Sequence, residues 1–365
     1  GFNTKAMEKG TRNRKKRLGR TLTDNALTRY ITFSALYIAQ GIPEGITFFA
    51  IPAWLAMNGK SAMEIAAYVG VIGVPWSFKI LIAPLMDRWT FLAMGRKRPW
   101  VIFGQLGLIL SFICIGLIPD PLNNTIGLMT SGFFISIFGA FQDVATDGMA
   151  VDVIPENEQA RANGLMWGTK TIGISSSLII GTWLINNFGF SIAISSLSIA
   201  VATIMLFPIY FKERTGEKTL PWTAGSASPD SKKTQLRSWK HIFKSLYKVV
   251  RLKSSLVFGI GVFVVGLMFG LIDTLLPIFS IQELGWTNSF FSNVFSITTV
   301  VGGFLGMFIG GYLVDYFGKI KMLSVYLSFL TILIAVFASL NNLWGNNIII
   351  YAFILSYYTL YTFLC

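Results

Sequence analysis

Long apolar runs alternate with short polar segments along almost the whole chain. A helix needs about 20 mainly apolar residues to cross the hydrocarbon core of a bilayer. Ten runs reach that length, at roughly 30–55, 64–84, 100–118, 126–150, 162–185, 189–211, 255–280, 288–313, 322–340 and 347–365. The pattern predicts an all-α polytopic membrane protein. Its longest polar interruption, 212–254, contains Pro221, Gly225, Ser226, Ser228, Pro229 and Asp230, then a basic stretch that reads as a surface helix around Trp239–Tyr247. The chain thus divides into a basic N-terminal segment (1–29), a six-helix lobe (30–211), a connector (212–254) and a four-helix lobe (255–365).

Composition agrees with that pattern. Only 13% of residues are charged and 53% are hydrophobic, about half the charge a soluble domain carries. The net charge of +13 would suggest a nucleic-acid partner in a soluble protein, but here 27 of the 30 Lys and Arg fall in alternate loops, on one side of the predicted spans. That asymmetry places the N-terminus, the 2–3 loop, the connector and the 8–9 loop in the cytoplasm. The expected partners are the lipid bilayer and a small-molecule substrate, with no nucleic acid. The expected location is the inner (plasma) membrane, as a monomer. Cys114 and Cys365 form no disulfide framework, and no metal-ligand spacing is present. Neither metal nor cofactor is expected.

An internal repeat is visible. Ala83-Pro-Leu-Met-Asp87-Arg88, followed by Gly95-Arg96-Lys97-Arg98, is echoed by Gly311-Tyr-Leu-Val-Asp315 and Gly318-Lys319-Ile-Lys321. Asp87 and Asp315 are 228 positions apart, and Glu44 and Asp273 are 229 apart. Two pairs whose offsets agree within one residue indicate two repeats of one unit, with a site between the lobes. These loop motifs resemble the signature of the major facilitator superfamily. Within it, Lys79-Ile-Leu-Ile-Ala-Pro-Leu-Met-Asp-Arg88 and Phe141-Gln142-Asp143-Val-Ala-Thr-Asp147, with Asp152 beyond, resemble the AmpG-type muropeptide permeases and their acetyl-CoA transporter relatives. Gly148 and Met149 depart from the AmpG pattern. The resemblance implies a two-lobe bundle of twelve spans. Since the chain opens on Gly1 and its last apolar run ends at Cys365, about ten of the twelve are expected here.

Ionisable side chains inside a bilayer are functional candidates by default. Glu44 sits in Gln40-Gly-Ile-Pro-Glu-Gly45, where Pro and Gly loosen span one, and Asp143 and Asp147 share one face of span four. Asp273 lies in span seven, and Lys79 and Lys170 lie in spans two and five. In the superfamily, spans one, four, seven and ten line the central cavity. The expectation is that these carboxylates, with Gln142 beside them, bind protons or substrate and that a lysine holds an anionic part of the substrate. Alternatively, Asp143 or Asp147 forms a permanent structural pair with Lys79, Asp143 first because it and Lys79 both sit towards the cytoplasmic end.

Asp87, Arg88, Gly95, Arg96, Lys97, Asp152, Asp315 and Lys319 read as gating residues, able to form a lock between lobes in one of two states. Topogenic charge accounts for part of Lys97 and Arg98. Gly302, Gly306 and Gly310 form a small-residue stripe in span eight, which in the superfamily meets span five. A membrane enzyme would need a catalytic cluster, yet His241 is the sole histidine and falls in the connector. A receptor or channel would not explain the repeat. The functional expectation is a proton-coupled secondary transporter of a small polar or anionic solute, amino-sugar/muropeptide-like or CoA/nucleotide-like. An efflux antiporter is the alternative.

Overall fold

The computed structural model describes residues 21–235 and 238–364, so most of the basic N-terminal segment lies outside the described residues. Among the described residues ten long helices form two lobes. Helix α1 runs Ala26–Glu44, passes through a π-helical turn at Gly45–Ala50 and continues over Ile51–Met57. It is followed by α2 (Ala62–Arg88), α3 (Arg98–Gly116), α4 (Thr125–Val153), α5 (Gln159–Phe188) and α6 (Phe190–Tyr210). The second lobe holds α7 (Lys253–Glu283), α8 (Asn288–Phe317), α9 (Lys319–Ser339) and α10 (Asn347–Leu364).

Side-chain caps start several of these helices. Asn25 accepts the Thr28 amide, Ser61 and Glu64 form a reciprocal capping box, and Thr287 accepts the Phe290 amide. Gly189 and Gly318, at φ +87° and +93°, turn the chain directly from α5 into α6 and from α8 into α9. Pro43 and Pro277 each remove a backbone donor, and a π-helical turn follows each within a few residues.

Eight of the ten are long and apolar enough to cross a membrane; α1 and α5 are the more polar two. They pack backbone to backbone. A Cβ on Gly41 would lie 2.5 Å from the Lys170 carbonyl oxygen, and one on Gly173 would lie 2.4 Å from that of Ile38. Small residues here let the two polar helices cover each other.

The lobes meet along α5 and α8, which run antiparallel. Ser175 and Ser296 exchange hydroxyl-to-carbonyl bonds at 3.3 Å, Thr182 and Ser292 share a 2.7 Å bond, and Asn186 and Asn288 form a reciprocal amide pair at 2.9 Å. Further out, Gln282 donates to the carbonyls of Ala56 and Lys60. This seam lies at the end of the bundle opposite the connector. The glycine stripe behaves differently from expectation. Gly302, Gly306 and Gly310 face Thr359, Thr362 and Phe363 of α10, and Gly303 is the one that meets Thr171 of α5.

The connector is only partly the exposed linker its polarity suggested. Trp239–Val250 is helical, as expected. Residues 212–220, however, are clamped to the first lobe. Leu22 donates to the Lys212 carbonyl, while the fully buried Glu213 carboxylate accepts the backbone amides of Arg96, Lys97 and Arg98 at the start of α3. A carboxylate there meets the positive end of the helix dipole. Arg98, also fully buried, donates to the carbonyls of Met94, Pro208, Ile209, Lys218 and Thr219. It has a structural role besides its charge, because every arm of the guanidinium donates to a backbone carbonyl.

Candidate functional site

A cavity of about 360 Å³ lies between the lobes. Glu44 of α1, Trp76 of α2, Trp167 and Lys170 of α5, Asp273 of α7 and Tyr358 of α10 line it. Spans one, seven and ten are there as expected. Span four contributes no lining residue, and α2, α5 and α8 take its place. The carboxylates of α4 open instead into a second chamber of about 350 Å³, bounded by Tyr37, Gln40, Lys79, Asp143, Asp147 and Gln159. Lys170 and Trp167 line both spaces, so they stand at the junction. The second chamber reaches the α4–α5 turn and therefore lies towards the connector end.

The intramembrane charges sort into two kinds. Lys170 Nζ sits 2.9 Å from Glu44, with their side chains 13% and 24% exposed, and Lys79 is paired with the buried Asp143. Four carboxylates against two lysines leave two without a cation. Those two are Asp273 and Asp147, and each accepts a tyrosine hydroxyl: Tyr358 donates to Asp273 at 2.6 Å and Tyr37 donates to Asp147. Neither tyrosine was legible as a site residue, since nothing in the sequence ties Tyr37 to a position 110 residues away or Tyr358 to one 85 residues away. The lysines also stand over aromatic faces, Lys170 above Trp167 at 5.1 Å and Lys79 above Trp76 at 5.3 Å.

Gln142 departs from its expected place. It is fully buried in the seam between α4 and α1, donates to the Leu36 carbonyl at 3.2 Å, and lines neither space. Gln40, one turn before Glu44, reaches the second chamber, and it is buried with neither polar atom hydrogen-bonded.

The gating residues form a network inside the first lobe. Asp87 accepts from Arg96 at 3.0 Å and Lys97 at 2.6 Å, and Arg96 also reaches Asp152 at 3.0 Å. Gly95, at φ +113°, admits the Glu213 carboxylate where a Cβ would stand 2.0 Å from it. The Arg88 carbonyl lies 3.5 Å from the Gln235 amide. In the second lobe Asp315 and Lys319 are exposed. Each ion pair among the described residues belongs to the first lobe, so these charges form no lock between lobes in this conformer.

Residues 31–364 match the model of the Major Facilitator Superfamily. A 149-residue stretch, 41% of this chain and 30% of its relative, is 26% identical to the anhydromuropeptide permease of Escherichia coli K12. A 147-residue stretch is 28% identical to an uncharacterized Haemophilus influenzae protein, covering 40% of this chain and 34% of the relative. The matched stretches thus span about a third of those two relatives. Over 306 residues the chain is 24% identical to an AmpG transporter of Rickettsia felis, covering 80% of this chain and 68% of the relative. Among solved structures, a POT family transporter in complex with 5-aminolevulinic acid superposes with a TM-score of 0.61 at 17% identity, covering 93% of this chain and 80% of that one. A D-xylose-proton symporter superposes with a TM-score of 0.54 at 14% identity, covering 92% and 80%. The relatives and neighbours that carry a functional name are transporters rather than enzymes, and the structural neighbours share the two-lobe helical fold. The chain belongs to the major facilitator superfamily, and its named relatives there are permeases of the AmpG type.

Proposed function

We propose that this protein is a secondary transporter that moves a small polar or anionic solute by alternating access, coupled to proton symport. It would act as a monomer in the inner (plasma) membrane with its N-terminus in the cytoplasm. The observation that carries the reading is the pairing pattern in the cavity. Lys170 is held by Glu44, while Asp273 faces the same space with a tyrosine hydroxyl and no cation.

Holding an uncompensated charge away from water is costly, so Asp273 is a natural place for a transported proton. A proton on Glu44 releases Lys170 to bind a carboxylate or phosphate, and the cavity then gains an anion and a proton together. Trp76 and Trp167 offer flat faces to a ring, which favours amino-sugar/muropeptide-like or CoA/nucleotide-like solutes. The hydrogen-bonded seam at the end away from the connector, with the second chamber leading towards the connector, supports a conformer facing the cytoplasm.

The test is uptake into proteoliposomes with and without an imposed pH gradient, after a competitive binding screen of amino sugars, muropeptides, nucleotides and CoA esters. Symport requires accumulation driven by an inward proton gradient and abolished by a protonophore. Accumulation unaffected by either treatment refutes proton coupling, and accumulation driven by the opposite gradient identifies an antiporter.

A further inference from the structure

The connector helix Trp239–Val250 has a face that no element among the described residues covers. Its apolar residues, Trp239, Ile242, Phe243, Leu246, Tyr247, Val249 and Val250, fall on one arc of the helix. Of these only Ile242 is buried, while Phe243, Tyr247, Val249 and Val250 are each more than half exposed. Lys240, Lys244 and Lys248 follow one another at four-residue spacing along the adjoining face, with Arg251 beside them over the Tyr247 ring. In water such an apolar arc is a liability.

Its surroundings show what covers it. Trp239 packs edge-on against Trp89 at the end of α2, with ring centroids 5.4 Å apart, which fixes the helix beside the ends of the membrane spans. At the level of the span ends, an apolar arc bordered by lysines fits the boundary between acyl chains and headgroups.

We propose that Trp239–Val250 lies in the headgroup layer on the connector side of the membrane and binds anionic phospholipid through Lys240, Lys244 and Lys248. Only Arg251 and Leu252 separate this helix from α7, which carries Asp273 into the central cavity. Lipid charge therefore acts on the element that links the two lobes. The proposal rests on the membrane location alone, and its test needs no transported substrate.

The test is hydrogen–deuterium exchange of the 239–250 segment in the full-length chain, reconstituted in nanodiscs of phosphatidylcholine with and without phosphatidylglycerol. Each basic residue near an anionic surface contributes enough that three lysines should slow exchange by roughly tenfold to a hundredfold in the anionic discs. High salt should reverse the effect. A K240Q/K244Q/K248Q variant keeps the apolar arc and should lose the difference between the two lipids, while exchange in α3 and α4 stays at parent rates and reports intact folding. Equal protection in both lipids, protection in neither, or a difference that survives the triple substitution overturns the proposal.

Discussion

Removing either partner of the Glu44–Lys170 pair should destabilise the protein, and removing both should restore much of the loss. At 2.9 Å and an effective dielectric constant of about 20, the attraction between the two charges is about 6 kcal/mol. Desolvation of both groups offsets part of it. Single truncations of buried pairs cost about 3–5 kcal/mol, because the surviving charge stays buried without a partner. Glu44 is about one quarter exposed, so the lower end applies, about 3 kcal/mol for Glu44→Gln and for Lys170→Met. The double variant should lie within about 1 kcal/mol of the parent, a coupling well outside the additivity of independent sites. Unfolding in mixed micelles, followed by far-UV circular dichroism against SDS fraction, gives all four corners of the cycle. Additive single and double effects would show that the two groups do not act as a pair, and the release of Lys170 by a proton on Glu44 would then have no basis.

Further predictions concern other parts of the molecule. Asp273→Asn should abolish accumulation against a gradient in proteoliposomes while exchange of labelled solute partly survives; parent-like accumulation removes Asp273 from the coupling step. Gly41→Ala should cost at least about 2 kcal/mol in the same unfolding assay, since its Cβ meets α5 backbone at 2.5–2.8 Å. Gly270→Ala, with open space around it, should cost no more than about 0.5 kcal/mol. Burial, then the nearby Glu213 carboxyl, pushes the connector's Glu217 up to about 7. The folded state therefore holds a proton that the unfolded state releases near 4.5, and the stability this contributes is lost as pH rises through about 7. Limited proteolysis of residues 212–228 should accordingly be faster at about pH 8 than at about pH 6, and Glu217→Gln should remove the difference.

All ten helices were legible from apolar runs alone, because a membrane span has to satisfy its backbone internally and announces itself by length. The repeat of Asp87 and Asp315 and the lopsided loop charge were equally legible. Pairings were not. Glu44 and Lys170 could be singled out as costly charges, but only the close approach of α1 and α5 at Gly41 and Gly173 shows that they meet. The partners of Asp147 and Asp273 are tyrosines indistinguishable by sequence from those at a lipid interface. The connector misled for a different reason. Glu213 and Glu217 look solvent-exposed in a polar stretch, yet backbone amides of α3 and Arg214 make them buried acceptors. The glycine stripe in α8 named a close contact correctly but not its partner, since spacing fixes a helix face and not what faces it.

The seam between α5 and α8 is made of serine, threonine and asparagine side chains without a single formal charge. Each such bond exchanges for one to water at a net difference of about 1 kcal/mol. A handful of them holds the end shut by only a few kcal/mol, within reach of what a tightly bound solute contributes. Because no ion separates when the seam parts, its opening moves no charge through the electric field and disturbs no counterion atmosphere. The resting balance of the two conformers should therefore respond to occupancy of the cavity and hardly at all to ionic strength or membrane voltage at that surface.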